Sequence, residues 1–394
     1  MLTRLPVRLI PLLFVALFVA CGEPPLPGVD GGADAGFDAG ASDGGLDLND
    51  VSWLFPLPTV PGDLLSLDSA GPRGALLPRA LYDGLPAMLP GGDAGVHDDF
   101  RVIGARVDPC FPTDAQNSGC RRQIRLVAQP VTYASLLPTT EDATIHLFFD
   151  LSEADWADVQ ATVDELHALA AGATRGKALD VHPVLQAQGL RSAYASKLKA
   201  LITRLCGAQT LTRVAFMRLV QTDVAWSFGA FNVSGGALVD DTIPRLDTLS
   251  VQGVQEFGND AFRNGDLQPA APGDQLVTLL SESELRLTDA RTLQKAITSA
   301  LRIENPHLES PKTIDCGSCH VASRALSNAR VERNVDTSGY AEQFTAESRF
   351  NLSRVDAVGN DPRAMRAFGY FGSQSALSQR TINESAIIAA EMTR

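Results

Sequence analysis

A cluster of two cysteines and one histidine near the C-terminus restricts the fold of this chain more than any other feature. Cys316 and Cys319 are separated only by Gly317 and Ser318, and His320 follows directly. Cys and His are both scarce, with six of each in 394 residues, so this arrangement would arise by chance in about one such chain in a thousand. The fold therefore has to bring two thiols and one imidazole to a single site.

The spacing C-x-x-C-H is the attachment signature of a c-type haem. Two thiols at this separation can add to the two vinyl groups of one porphyrin, and the imidazole that follows then lies against the iron. In this motif the chain resembles the c-type cytochromes, over at most the last fifth of its length. The resemblance implies one covalent haem c, held by Cys316 and Cys319, with His320 as the proximal iron ligand.

Other uses of the same residues are open. The two cysteines could form a disulfide or a redox pair, but a thioredoxin-like pair follows a strand at the head of a βαβ unit. Residues 305–311, which precede the motif, instead have the composition of a loop. A zinc site would need further Cys or His ligands nearby, and none follows His320 in the sequence. Covalent haem is therefore the preferred hypothesis.

The N-terminus has the pattern of an export signal. Arg4 and Arg8 precede an apolar run, Leu9 to Ala20, that is too short to span a bilayer comfortably. The run ends in Ala20-Cys21-Gly22, which resembles a bacterial lipobox, although Phe18 stands where Leu is usual. We expect residues 1–20 to be removed and Cys21 to be lipidated; an ordinary signal peptide with an incidental cysteine is the alternative. Export suits the haem hypothesis, because c-type haem is attached on the far side of the membrane.

Residues 21–50 are rich in Gly, Ala, Asp and Pro. Such a segment buries too little apolar surface to offset its ordering entropy, so we expect a lipidated, disordered tether. The formal net charge of −13 argues against nucleic acid as a partner and against electrostatic docking on anionic lipid. The predicted location is the bacterial cell envelope, on a periplasmic or outer-membrane face. The lipid would anchor the chain to the membrane, and a redox protein would be its partner.

An α+β domain is predicted for residues 51–272, with a mixed or antiparallel sheet and packed helices. Alternating apolar and polar residues predict strands over 101–107, 122–129, 213–220 and 225–233. Residues 143–150 are apolar on both faces, which indicates a central strand. Helices are predicted from Ser152, with Asp155 completing a capping pattern, to residue 170, and from Pro183 to Cys206.

A mostly helical, haem-binding segment is predicted for residues 273–394. The Pro-rich stretch 268–273 marks the boundary between the two parts. Helical spacing follows Asp289, continues over 321–331 after the motif, and returns over 378–392, with a short helix opened by Pro362.

The remaining cysteines and two histidines receive structural roles. Cys110 and Cys120 flank a turn-rich stretch between two predicted strands, and in an oxidising compartment they are expected to form a disulfide. Cys206 lies on the apolar face of a predicted helix and is expected to be a buried, inert thiol. His146 and His167 stand alone on apolar elements, so they are expected to be satisfied core residues.

Met365 is the predicted sixth ligand of the iron. It lies downstream of His320, as the ligating Met does in the small cytochromes c that the motif resembles, and aromatic residues at 368, 370 and 371 could line a porphyrin. A plain core role for Met365 is the alternative. His307 would give a bis-His haem, Met392 lies close to the C-terminus, and an open sixth position is also possible.

Two hypotheses of function follow. The first is a membrane-tethered, mono-haem, c-type cytochrome-like lipoprotein that transfers one electron at a time. The second is a non-redox surface lipoprotein with a structural role or a role in binding a ligand or protein, in which Cys316 and Cys319 form a disulfide. A phosphate-binding loop, a nucleophile elbow and an H-E-x-x-H motif are all absent from the sequence. An electron carrier is therefore favoured over an enzyme.

Overall fold

An antiparallel sheet is the framework of the fold. The computed structural model describes residues 45–91, 96–111, 119, 121–133, 137–221, 224–257, 264–354 and 365–394. The strands within these residues are β1 (Ser52–Leu54), β2 (Ala70–Gly71), β3 (Gly74–Ala75), β4 (Phe100–Phe111), β5 (Arg121–Thr132), β6 (Thr139–Thr140), β7 (Thr144–Asp150), β8 (Leu211–Gln221), β9 (Ala225–Ser234), β10 (Ala237–Asp240), β11 (Val251–Phe257), β12 (Asn264–Gln268), β13 (Phe368–Phe371) and β14 (Gln374–Leu377).

Helices precede, interrupt and follow these strands. Those within the described residues are α1 (Leu48–Val51), α2 (Arg79–Tyr82), α3 (Val96–Asp99), α4 (Glu153–Ala170), α5 (Pro183–Gln188), α6 (Ala193–Leu205), α7 (Leu276–Leu280), α8 (Glu282–Leu287), α9 (Ala290–Glu304), α10 (Cys316–Arg333) and α11 (Gln379–Thr393). The residues from Gly45 to Arg394 form one compact unit. The predicted α+β class, with a helical C-terminal region, is confirmed.

Within the described residues, ten strands form the main sheet in the order β1-β4-β5-β7-β8-β9-β11-β12, with β6 beside β5 and β10 beside β9. The pairings along this path are antiparallel. The apolar strand β7 lies between β5 and β8, so its predicted central position is confirmed. The strands predicted over 213–220 and 225–233 also form, as β8 and β9, and they pair with each other. Hairpins β2–β3 and β13–β14 are separate two-stranded sheets.

Along β7, β8 and β9 the two faces of the sheet contribute to different hydrophobic clusters. On β7, Ile145 and Leu147 pack in the same cluster as Val159 and Val163 of α4 and Leu198 of α6. On the opposite face, the cluster combines sheet residues from β8, β9, β11 and β12 with α7, α8, α9 and α10; the sheet residues are Met217, Leu219, Trp226, Phe228, Val254 and Leu267. The residues before and after position 272 therefore share one core.

Helix α11 is joined to the sheet by buried charges. Glu384 pairs with Arg106 of β4 at 2.5 Å and with Arg380 one turn earlier at 2.9 Å, and Arg106 also pairs with Asp108 at 2.9 Å. Burial alone would raise the pKa of Glu384, but the two guanidinium groups outweigh it and lower that pKa. The C-terminal helix is thereby held as an ion-pair partner of strand β4.

Three local features differ from the sequence-based expectations. The helix expected over 183–206 is two helices, because Gly189 adopts φ +80° and ends α5. Residues 46–50, expected within the tether, are buried, since Leu46 and Leu48 pack into the core and Asp47 caps α1. Phe368, expected on a short helix, lies on β13.

Cys206 is fully buried and free, as expected, and burial raises the pKa of its thiol. His167 is also satisfied, since its Nδ1 lies 2.8 Å from the Asp50 carboxylate. In the part of the chain that the structure describes, no helix combines the length and the apolar character needed to cross a membrane.

Replacing Glu384 by Gln tests the buried ion pairs. The change keeps the size of the side chain but leaves Arg106 and Arg380 without their shared carboxylate, so the free energy of unfolding should fall by about 3–5 kcal/mol. Urea unfolding measures it. The matched control is Glu165→Gln, whose exposed carboxylate pairs with Lys197 on the surface, and that change should cost about 0–1 kcal/mol. Equal losses in the two variants would contradict the proposed contribution of the buried pairs.

Candidate haem-attachment site

The C-x-x-C-H motif forms the first turn of α10. The helix begins at Cys316, because the side chain of Asp315 accepts the backbone N–H of Ser318 at 2.9 Å and caps it. Residues three and four positions apart lie on the same face of a helix. Cys316, Cys319 and His320 therefore face one side of the turn, and all three are half-buried.

A short chain of hydrogen bonds fixes this turn against the sheet. Gln252 of β11 accepts the backbone N–H of Gly317 at 2.7 Å and donates to the Asp315 carboxylate at 2.6 Å. A Cβ atom at position 317 would lie 2.9 Å from the side chains of both Gln252 and Leu267. The glycine between the two cysteines thus permits the close contact between α10 and the sheet.

His320 is held in one orientation and one tautomer. Its Nδ1 donates to the backbone carbonyl of Met365 at 2.7 Å, and a carbonyl can only accept, so the proton is on Nδ1 and Nε2 keeps its lone pair. The ring lies against Phe228 of β9, with 4.5 Å between ring centroids. The pKa of His320 is lowered to about 4, mainly by burial; the Met365 carbonyl opposes this shift, and the nearby Arg366 adds to it. A neutral imidazole with one nitrogen tied to a carbonyl is the usual form of a metal-binding histidine.

Cys316 and Cys319 are free thiols in the structure. Burial raises the pKa of Cys316 to about 12 and that of Cys319 to about 11. Thiol–disulfide exchange proceeds through the thiolate, and redox-active C-x-x-C pairs have lowered pKa values. These raised values are unlike those of a redox pair, whereas addition of a neutral thiol to a vinyl group needs no standing thiolate charge.

The sheet presents a row of small side chains opposite the motif. Ala215 of β8 and Ala230 of β9 are paired in register, and His146 of β7 is the next residue of the same row. Ala215 is half-buried although its strand is flanked on both sides. His146 is 8% exposed, and no hydrogen bond to its ring is found among the described residues. His146 is thus buried, as expected, and whether its ring is satisfied stays a prediction.

Charged groups surround the motif on the side of β8. Arg213 pairs with Asp241 at 2.8 Å, and both groups act electrostatically on the Cys316 thiol. Their side chains also line a cavity of about 370 Å³, together with Arg121 and Lys312. The cavity lining thus has three cationic groups and one anionic group, and two of these, Arg213 and Asp241, act on the first cysteine of the motif.

The other predicted ligands of the iron are separate from the thiols. Met365 contacts His320 through its carbonyl oxygen, and its fully buried side chain belongs to the cluster around α10. His307 is exposed and lies against Phe344, with 5.5 Å between ring centroids. Met392 is in the last turn of α11 and packs against the hydrophobic cluster that includes α4 and α6.

The two remaining predicted cysteine sites lie partly or wholly outside the described residues. Cys21 is in the N-terminal part of the chain that the structure does not describe. Cys110 is on β4, but Cys120 also lies outside the described residues. Lipidation of Cys21 and the Cys110–Cys120 disulfide therefore stay predictions.

A second group of residues that could bind a metal includes His97 and Asp98 of α3, just before β4. Asp68, His97 and Asp98 each offer one ligand atom, and these atoms lie within 4.8 Å of one another. Both carboxylates are exposed, and His97 Nδ1 already lies 3.2 Å from Asp98. Exposed groups of this kind are common without a metal ion, so the motif on α10 remains the candidate site.

Comparisons with protein-family models, with curated proteins and with solved structures give no match to this chain.

Replacing Gly317 by Ala tests the close contact at the motif. The added methyl group would press on Gln252 and Leu267, and we expect the free energy of unfolding to fall by about 1–3 kcal/mol, measured by urea unfolding. Gly339→Ala is the control, because nothing lies within 4 Å of a Cβ at that position. If Gly317→Ala were as stable as Gly339→Ala, the contact would be looser than described.

Proposed function

We propose that this chain is a lipid-anchored, mono-haem, c-type cytochrome-like protein that transfers single electrons in the bacterial cell envelope. The observation that carries the proposal is His320. Its Nδ1 is tied to a carbonyl, its Nε2 has no hydrogen-bond partner among the described residues, and it shares one helical turn with two free thiols. These three groups are the donor set of a covalent c-type haem.

Cys316 and Cys319 would each add across one vinyl group of the porphyrin. The sulfur bonds to one vinyl carbon and the thiol hydrogen ends on the other, so no electron is gained or lost in the attachment. His320 would bind the iron through Nε2, since Nδ1 already donates to Met365. The bound iron supplies the redox chemistry, by cycling between the ferric and ferrous states.

Cationic groups near Cys316 suit the acidic substituents of a haem. Arg213 and Lys312 both line the cavity beside the motif, and guanidinium and ammonium groups pair with carboxylates. Asp241 already accepts from Arg213 at 2.8 Å, so Arg213 would share its donors between Asp241 and a propionate. These residues would orient the haem edge.

A redox protein would have to deliver and remove the electron. A single haem has no internal acceptor, so a partner must come close to its edge. The net charge of the chain is −13, and complementary charge speeds association and favours correct partners. A partner with a basic surface fits this chain best, and the lipid on Cys21 would keep both proteins at the same membrane.

The alternative, a non-redox surface lipoprotein, requires Cys316 and Cys319 to form a disulfide. In the structure both are free, and their raised pKa values disfavour the thiolate through which a disulfide forms. Catalysis is not part of the proposal, since the site offers ligands for a haem and no nucleophile paired with a base.

Covalent attachment is tested on the mature chain expressed in a periplasm that contains haem-attachment machinery. We expect haem that survives a denaturing gel and gives a c-type pyridine haemochrome spectrum. Cys316→Ala combined with Cys319→Ala should lose this signal completely, because no thioether can form. Cys206→Ala is the matched control, since it removes a buried cysteine far from the motif, and it should keep the signal. A colourless wild-type chain, under conditions in which a control cytochrome matures, would refute the proposal.

Lipidation is tested separately by labelling growing cells with an alkyne fatty acid. The full precursor should incorporate the label, and Cys21→Ser should not, because the acceptor thiol is gone. Cys206→Ala again serves as the control and should be labelled like the wild type. Equal labelling of the wild type and Cys21→Ser, or no labelling of either, would show that the chain is not anchored through Cys21.

A further inference from the structure

We propose that His146, on the central strand β7, binds the haem iron on the side opposite His320. This inference rests on the proposed function, because it names the sixth ligand of the haem attached at Cys316 and Cys319. It would make the haem a bridge between α10 and the sheet, with one imidazole from each.

The direction of the His146 side chain follows from its strand. Successive side chains of a strand point to opposite faces, and the neighbours Ile145 and Leu147 pack in the cluster with α4 and α6. His146 therefore faces the other way, as does Phe148, whose ring lies 5.4 Å from the Arg213 guanidinium. This is the face on which α10 packs.

The strand register sets the distance between His146 and the motif. Phe228, which contacts the His320 ring, pairs with Met217, and Met217 pairs with Thr144. His146 is thus two strands away from Phe228 and two residues further along. With strands ~4.8 Å apart and a rise of ~3.3 Å per residue, the two Cα atoms are about 12 Å apart. The His320 ring, which lies against Phe228, and His146 therefore face the same part of the sheet, and His320 acts electrostatically on His146.

The strand positions beside His146, on the side toward His320, have small side chains. Ala215 and Ala230 stand beside His146 in register, and each offers only a methyl group. Ala215 is half-buried at the centre of the sheet, and Cys316, Cys319 and His320 opposite are half-buried too. A flat ligand would cover these surfaces.

His146 is 8% exposed, and among the described residues no hydrogen bond to its ring is found. Burial is the main cause that lowers the pKa of His146, and the nearby His320, Arg106, Arg213 and Arg366 act in the same direction. The ring is therefore neutral, and a neutral imidazole has a lone pair that can bind a metal.

Other candidates for the sixth position are placed less well. The carbonyl of Met365 contacts Nδ1 of His320, which puts Met365 on the side of the ring away from Nε2 and the iron. His307 is exposed and lies against Phe344. The sulfur of Met217 already accepts from Arg366 at 3.3 Å.

The test compares ferric spectra and midpoint potentials of the purified holoprotein and its variants. We expect a low-spin, bis-histidine electron paramagnetic resonance spectrum for the wild type. His146→Ala should become high-spin, and added imidazole should restore the low-spin state by filling the vacated position. Replacing His146 by Met, which keeps a ligand, should raise the midpoint potential.

Two control variants separate the alternatives. Met365→Leu removes the thioether but keeps the backbone carbonyl, and His307→Ala removes the exposed histidine; both should stay low-spin with bis-histidine signals. A wild-type spectrum of His–Met or high-spin type would overturn the inference, even if His146→Ala failed to fold. An unchanged spectrum of His146→Ala, with haem still covalently bound, would do the same and leave the proposed function standing. If the wild type carried no covalent haem, both the proposed function and the assignment of His146 as an iron ligand would be refuted.

Discussion

The hydrogen bond from His320 Nδ1 to the Met365 carbonyl determines the chemistry available at the candidate site. It leaves Nε2 as the only lone pair of the ring, and it ties the first turn of α10 to the segment that leads into β13 and α11. A neutral imidazole that is held by a hydrogen bond at one nitrogen loses little orientational entropy when it binds a metal. The proposed haem therefore depends on a contact between two distant parts of the C-terminal region.

The site also depends on the sheet that precedes it in sequence. Gln252 of β11 accepts the Gly317 N–H and donates to the cap residue Asp315, and Phe228 of β9 supports the His320 ring. Helices α7 to α10 share a hydrophobic cluster with β8, β9 and β11. The apolar side chains on which α10 packs therefore come in part from the sheet.

Local sequence signals predicted most elements but not their mutual arrangement. Ser152 and Asp155 do form a capping box, and Asp289 and Ser378 cap α9 and α11, because capping depends on residues within one turn. The break at Gly189 was missed, since a glycine that adopts positive φ cannot be distinguished by sequence from one that does not. The buried Glu384–Arg106 pair joins residues 278 positions apart, and no local pattern reports such a partner.

The candidate site, too, could be predicted only in part from the sequence. The motif identified Cys316, Cys319 and His320, because their chemistry is encoded in five consecutive residues. His146 appeared as one histidine in an apolar strand, and only the register of β7, β8 and β9 places it opposite α10. For Met365 the sequence drew attention to the sulfur, whereas the structure uses the backbone carbonyl, a group that every residue has.

The mass of one tryptic peptide tests the central claim most directly. Cleavage after Lys312 and Arg324 releases the peptide 313–324, which contains both cysteines of the motif. From the mature, exported chain digested without reductant, the account predicts that this peptide is heavier than its sequence by one haem. A peptide lighter than its sequence by two hydrogens would mean a Cys316–Cys319 disulfide, and would contradict the proposal of a c-type haem.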